Sequence, residues 1–229
     1  MDPLLRRIAA PACALLASLA PAAAQSRNVD FLAQLEPAGT FDDYSDIWGY
    51  VDPTTGAEYA LLCSELGLHV IDCTDPTNPV ERGMIPSENP SSSSNFWRDV
   101  KTYGSYAYVV SEAYGGIQIV DLSDPNNPTR VGVVATGFFF DAHNIWIDVD
   151  AGYAYVCGTS GGTMIFDLSE PTNPVRIRTL PSPTVHDLTA LRNFAYFCEQ
   201  NSNNLDQLDW DLSAETISRM PTEDKPIPH

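Results

Sequence analysis

One phrase, written three times, constrains this chain more than anything else in it. "LHVIDCTDPTNPVERG" (residues 68–83), "IQIVDLSDPNNPTRVG" (117–132) and "TMIFDLSEPTNPVRIR" (163–178) each run from an alternating apolar stretch, through an Asp, into a turn rich in Pro and Asn. The closing residues are Asp72, Asp121 and Asp167, spaced by 49 and 46 residues, and a weaker copy, "DWDLS", brings Asp211 after a further 44. A fixed period of this length is the mark of propellers, solenoids and arrays, in which each repeat is one supersecondary unit.

Within the second period, "DVKTYG", "YAYVVS", "IQIVDLS" and "TRVGVVA" predict four short strands, with Gly104-Ser105, Gly115-Gly116 and residues 124–128 as the turns between them. The first copy offers "DIWGYVD", "EYALLCS", "LHVIDCT" and "VERGMI"; the third offers "NIWIDVD", "YAYVCG", "TMIFDLS" and "VRIRTL". The fourth opens with "DLTALRN" and "FAYFCEQ", then loses the glycine hairpin in a long polar run. No segment after residue 24 sustains a helical period. The expectation is an all-β fold, a β-propeller-like array of about four four-stranded antiparallel blades, which a truncated ring would also satisfy. A lone four-stranded sheet cannot keep both faces dry, whereas a stacked neighbour does so. On this reading the repeated phrase is a blade corner. Its Asp accepts hydrogen bonds from the amides of the following turn, its prolines stop the third strand, and Asn78, Asn127 and Asn173 take up unusual turn geometry.

The first residues read differently. Arg6 and Arg7 precede an apolar run, and Ala22-Ala23-Ala24 precedes Gln25 as a small-residue cleavage site, the layout of a secretory signal. The expected division is a signal peptide over 1–24, a repeat domain over 25–220 and a tail over 221–229, with no transmembrane segment after the signal and a secreted or cell-surface location. The net charge of −18 argues against nucleic acid and anionic membrane surfaces, which attract basic patches. Cys63, Cys157 and Cys198 close the similar strands "YALLC", "YAYVC" and "FAYFC", so packing is the favoured role, with a disulfide among these and Cys73 as the second reading.

The phrases "HVIDCTDPTNPV", "IQIVDLSDPNNPT" and "MIFDLSEPTNPV" resemble the LVIVD repeat. The longer stretches "NFWRDVKTYGSYAYVVSEAYGGIQIVDLS" and "DAHNIWIDVDAGYAYVCG" resemble the choice-of-anchor B family of exported bacterial proteins. The resemblance covers roughly residues 28–200. It implies a secreted or surface-displayed β-propeller whose membership rests on the repeat, and it brings no catalytic residues with it. Members usually carry a longer array and a sorting tail, whereas this sequence stops at "PIPH". A short soluble member, a truncated product and a chain that closes by assembling with another would all read this way. "NVDFLAQLEP" (28–37) looks like an orphan strand able to complete the last blade, which would remove an open edge.

Each first strand begins with a marked pair: Ser45-Asp46, Arg98-Asp99, His143-Asn144 and His186-Asp187. First strands lie nearest a propeller's axis, so Asp46, Asp99, His143, Asn144, His186 and Asp187 are the candidate ligand-binding ring at one mouth. Oxygen donors suit Ca²⁺, and imidazoles shift the preference toward transition metals. The plainer reading is that these side chains satisfy loop amides within their own blades. No cofactor is expected; Ca²⁺ or another divalent cation at this ring is the one that the residue types allow. "DVDAGY" (148–153) starts like a calcium loop but lacks its later ligands, so it reads as a hairpin turn. "SEAYGG" (111–116) and "GTSGG" (158–162) carry neither a nucleophile elbow nor a phosphate loop, and no catalytic residue is assigned. Trp48, Trp97, Trp146 and Phe138–Phe140 are candidates for a binding surface or for the core.

The function read from these features is a secreted, non-enzymatic β-propeller module that binds an extracellular protein or polysaccharide. Two alternatives stand beside it. One is a propeller hydrolase whose central metal, held by the Asp/His ring, activates water. The other is a fragment of a longer surface-anchored protein.

Overall fold

A computed structural model of the chain describes residues 29–37, 39, 44–89, 96–180, 185–191, 194–199, 205–211 and 216–219. The chain divides after Leu32 into two units. Of the first, only residues 29–32 are described; they are irregular and exposed. The expected signal peptide and C-terminal tail lie outside the described residues.

The second unit is built of strands alone. Blade one is β1 (Tyr44–Val51), β2 (Glu58–Ser64), β3 (Gly67–Asp72) and β4 (Val80–Pro86). Blade two is β5 (Arg98–Tyr103), β6 (Tyr106–Ser111), β7 (Tyr114–Asp121) and β8 (Thr129–Val134). Blade three is β9 (Asn144–Asp148), β10 (Tyr153–Cys157), β11 (Thr163–Asp167) and β12 (Val175–Leu180). Blade four is β13 (Val185–Leu191), β14 (Phe194–Glu199), β15 (Leu205–Asp211) and β16 (Thr216–Arg219). Each blade is its own antiparallel meander in chain order, and no strand crosses between sheets. This is the all-β, four-bladed array that the repeat period predicts.

The repeat fixes the register as well as the number of strands. Tyr59 pairs with Asp72, Tyr106 with Asp121 and Tyr153 with Asp167, so the start of each second strand faces the Asp that closes the third. In blades one to three the third and fourth strands slip register at one corresponding place: Val70/Ile71, Ile119/Val120 and Ile165/Phe166. A bulge at that point twists the outer strand away from the flat geometry that invites edge pairing. The corner works as its composition predicts. Thr74, Ser123 and Ser169 donate their amides to the carboxylates of Asp72, Asp121 and Asp167 at 2.9, 2.8 and 2.8 Å. The amides of Asn78, Asn127 and Asn173 then close turns on the carbonyls of Asp75, Asp124 and Glu170.

Three details differ from the sequence expectations, and a fourth agrees with them. Gly115 and Gly116 lie inside β7 and not in the preceding turn. Gly115 sits so close to the chain after β8 that a Cβ there would lie 2.0 Å from the Phe139 carbonyl oxygen, and Gly116 has φ +97°. These glycines permit a close backbone approach that any side chain would block. Residues 29–37 form no strand, and blade four takes its outer strand from 216–219 instead. That segment, "TISR", carries adjacent β-branched residues and pairs with β15. Cys63 and Cys157 are buried as packing predicts, yet Cys198 is exposed; all three, with Cys73, are free thiols. Finally, "DVDAGY" is the expected turn, with the Asp150 and Ala151 amides both donating to the Asp148 carboxylate at 3.1 Å.

The core lies between blades. One cluster joins Leu61, Cys63 and Val70 of blade one to Val100, Ala107 and Val109 of blade two. A second joins Tyr108, Val110 and Ile119 to Ile145, Ala154 and Val156. A third joins Tyr155, Cys157 and Ile165 to Leu188, Ala195 and Phe197. Each blade therefore shows one face to its predecessor and the other to its successor. This is why "YAYVV" reads as nearly continuous apolar sequence and not as a strict alternation.

Candidate functional site

The inner strands β1, β5, β9 and β13 are neighbours in succession, so the marked pairs at their starts fall near one another. Period-two geometry separates each pair. Asp46 and Asp99 lean toward the following blade, whereas Arg98, His143 and His186 lean back toward the preceding one. These candidates thus fall into two layers.

The forward layer ties blades together. Asp46 accepts the Val100 amide of blade two at 3.2 Å, and Asp99 accepts the Ile145 amide of blade three at 2.7 Å. The sequence favoured contacts within each blade; the structure places these across blade boundaries, over 54 and 46 residues. Lys101 completes the layer, with Nζ on Asp99 Oδ1 and 3.2 Å from Asp46 Oδ2. Burial and a hydrogen bond with Asp46 push Asp99 up to about 8, against the pull of Lys101. Burial would raise Asp46 as well, but its hydrogen bond with Asp99 and the Lys101 charge outweigh that and hold it below the ordinary carboxylate value. Burial lowers Lys101, and the two carboxylates more than reverse the effect. The result is a compact group in which Lys101 sits against two carboxylates whose affinities for a proton are driven apart. Asn144 leaves its buried Oδ1 without a donor among the described residues, and Asp187 is exposed, bonded to the Leu188 amide at 2.7 Å.

Below this layer, Trp48 and Trp146 meet edge to face with ring centroids 6.3 Å apart. Their indole N–H groups are anchored on Thr102 Oγ1 at 3.1 Å and on the Ala190 carbonyl at 2.7 Å. Lys101 lies over the Trp48 ring at 4.8 Å. A half-buried pair so anchored fills the space between inner strands and leaves Trp97 as the exposed tryptophan of the mouth.

The backward layer faces solvent. His143 Nδ1 lies 2.5 Å from Glu112 Oε1, and its ring is 4.2 Å from that of His186 and 6.2 Å from that of Trp97. Phe96 abuts Trp97 at 4.5 Å. Trp97 is 48 % exposed and His186 is exposed. The equivalent residue of blade two, Arg98, is buried and reaches Ser87 with Nη2. Among the described residues, no group of three or more His, Cys, Asp or Glu side chains converges as metal ligands would.

Sequence reasoning missed Lys101 and Glu112. Lys101 stands where blades one and three carry Trp48 and Trp146, and that departure from the repeat was the available signal. For Glu112 the signal was the Ser-Glu pair that ends the second strand in blades one and two, Ser64-Glu65 and Ser111-Glu112. Also missed was the chain Ser64 Oγ, His69 and Glu81, with contacts of 2.8 Å at His69 Nε2 and 2.7 Å at Nδ1. Its order matches a nucleophile, base and orienting acid. Ser64 and His69 are wholly buried, though, so this chain is a polar clasp inside blade one.

Residues 97–136 and 141–179 match the LVIVD repeat. The chain thus carries two copies of the LVIVD repeat. The matches cover blades two and three. No curated protein matches the sequence. Among solved structures, the chain is similar to a protein from Lactobacillus plantarum at 17 % identity and TM-score 0.57, with 77 % of this chain and 54 % of that one covered. It is also similar to proteins provisionally named 6-phosphogluconolactonases from Bacteroides uniformis and Bacteroides fragilis. For these the identities are 14 % and 11 % and the TM-scores 0.56 and 0.54, over 76 % and 78 % of this chain and 52 % and 53 % of theirs. At such identities the likeness is one of fold. The chain spans about half the length of the structures it matches.

Proposed function

We propose that this LVIVD-repeat protein is an exported binding module that holds a neutral polysaccharide against the His143–His186–Trp97 face, without chemistry on it. The observation that carries this reading is the cluster of rings Phe96, Trp97, His143 and His186, set edge-on or tilted to one another, in which Trp97 and His186 are exposed and Glu112 lies at the side. Aromatic faces supply area for a sugar ring at little entropic cost, and a carboxylate beside them accepts from hydroxyls. The charge of −18 disfavours polyanionic glycans, which leaves neutral ones. The signal-like N-terminus and the resemblance to choice-of-anchor B proteins support a location at the cell exterior.

Isothermal titration against a panel of neutral glucans, mannans and galactans tests the reading. One or more should bind, and Trp97→Ala should weaken that binding by about tenfold or more, the loss of one stacked aromatic. Absence of binding across the panel, or binding indifferent to Trp97→Ala, would sink it.

A further inference from the structure

The three blade interfaces share one construction, and each end of the array carries half of it uncovered. Val100, Ile145 and Leu188 hold the same place, directly after the marked pair, and are 0 %, 0 % and 3 % exposed beneath the preceding blade. Ile47 holds that place in blade one and is 59 % exposed. Gly49, two residues on, has nothing within 4 Å of where a Cβ would stand. On the opposite face of the array, Tyr196 is 36 % exposed, although its counterparts Leu61, Tyr108 and Tyr155 are buried. Cys198 is exposed where Cys63, Val110 and Cys157 are buried. Asp187 is exposed where Asp46 and Asp99 grip the next blade's amide. Among the described residues, no apolar cluster joins blade four to blade one.

We propose that these two surfaces close on each other between two copies of this chain. Blade four of each copy covers blade one of the other, and Asp187 accepts the Ile47 amide of the partner copy. The complementarity is specific. Ile47 stands at the place of Val100 and Ile145, whose amides bond the preceding blade's Asp; Asp187 stands at the place of Asp46 and Asp99, which accept them; and the apolar residues beside them repeat three interfaces already formed. Two copies give eight blades, within the range in which propeller rings close. Two identical head-to-tail joints related by a two-fold axis leave no free blade face and no route to a filament. This inference stands independently of the ligand reading.

The test is sedimentation velocity of the full chain from low to high micromolar concentration, alongside the labelling rate of Cys198 by a thiol reagent. A monomer–dimer equilibrium is expected, with Cys198 labelled more slowly as the dimer accumulates. Ile47→Asp places a charge on a residue that is solvated in the single chain, so folding is retained. It should weaken dimerisation by about a hundredfold or more, since an unpaired charge would be buried. Asp187→Ala should weaken it by about tenfold, the loss of one charge-assisted hydrogen bond. Phe140→Ser, an exposed apolar position outside both faces, should leave dimerisation unchanged. A chain that stays monomeric throughout would overturn the proposal. So would species that grow beyond the dimer, or a dimer that Ile47→Asp leaves intact.

Discussion

The Asp99 carboxylate of blade two accepts the Ile145 amide of blade three at 2.7 Å while Lys101 holds its other oxygen. An element that recurs in sequence as a strand-start Asp is therefore a bond between repeats. Asp99→Ala would remove the acceptor of a buried amide and leave Lys101 with one carboxylate, the more distant Asp46. Loss of one member of a buried charged group costs about 3 kcal/mol or more. Urea denaturation should show a loss of that size, with the midpoint falling and the slope unchanged. A change below about 1 kcal/mol would show that the latch contributes only as much as an ordinary hydrogen bond.

The sequence made the blade plan readable because the corner is local. Asp72, Asp121 and Asp167 bond to amides two residues away, so composition and spacing suffice to place them. The latches were half readable. Asp46 and Asp99 recur visibly, but their acceptor role depends on amides 54 and 46 residues away, which only stacking brings near. Asp187 recurs too, and exposure alone distinguishes it. β16 escaped because its blade has lost the glycine hairpin and the corner phrase that mark the other three. Gly115 and Gly116 read as a turn because glycine is the commonest turn residue; their actual constraints are the Phe139 carbonyl for Gly115 and the Val134 carbonyl for Gly116.

The raised Asp99 carboxyl gives stability a definite dependence on pH. Asp99 has an ordinary value of 3.8 and is raised to about 8 in the fold. Its contribution is complete below about pH 4 and is lost as pH rises toward 8, because over that window the native state holds the proton that the unfolded chain has released. Asp46 is depressed, so its contribution is present above 3.8 and is lost in more acid solution. Unfolding free energy should therefore decline from about pH 5 to pH 8, and Asp99→Asn should flatten that decline. Equilibrium denaturation at a series of pH values decides the matter; a slope unchanged in Asp99→Asn would place the proton elsewhere.

The thiols should divide by burial. Cys63 and Cys157 lie within the interblade clusters, and burial pushes both thiols well above their ordinary value. Thiolate is the reactive form, so both should resist labelling. In a dilute native sample Cys198 should react quickly and Cys73, half-buried, more slowly, with Cys63 and Cys157 labelled only on unfolding. Mass spectrometry of labelled peptides reads each site. Fast modification of Cys63 would mean that the interface between blades one and two opens far more often than its packing implies.

Gly115 offers a sharp test of the backbone approach that the sequence concealed. Ala there would bring its Cβ to 2.0 Å from the Phe139 carbonyl oxygen, a backbone atom that cannot move aside as a side chain could. To relieve the clash, the segment after β8 must shift, and with it Phe139, which packs with Phe166 in the cluster between blades two and three. Overpacking of this kind costs about 1–3 kcal/mol, with more expected where the obstacle is backbone. Gly132→Ala, in the outer strand β8 with open space around its Cβ, is the matched control and should change stability by less than about 0.5 kcal/mol. Thermal melts of the two variants should therefore separate, Gly115→Ala falling by several degrees and Gly132→Ala staying near the parent. Equal midpoints would show that residue 139 stands further from β7 than the structure places it.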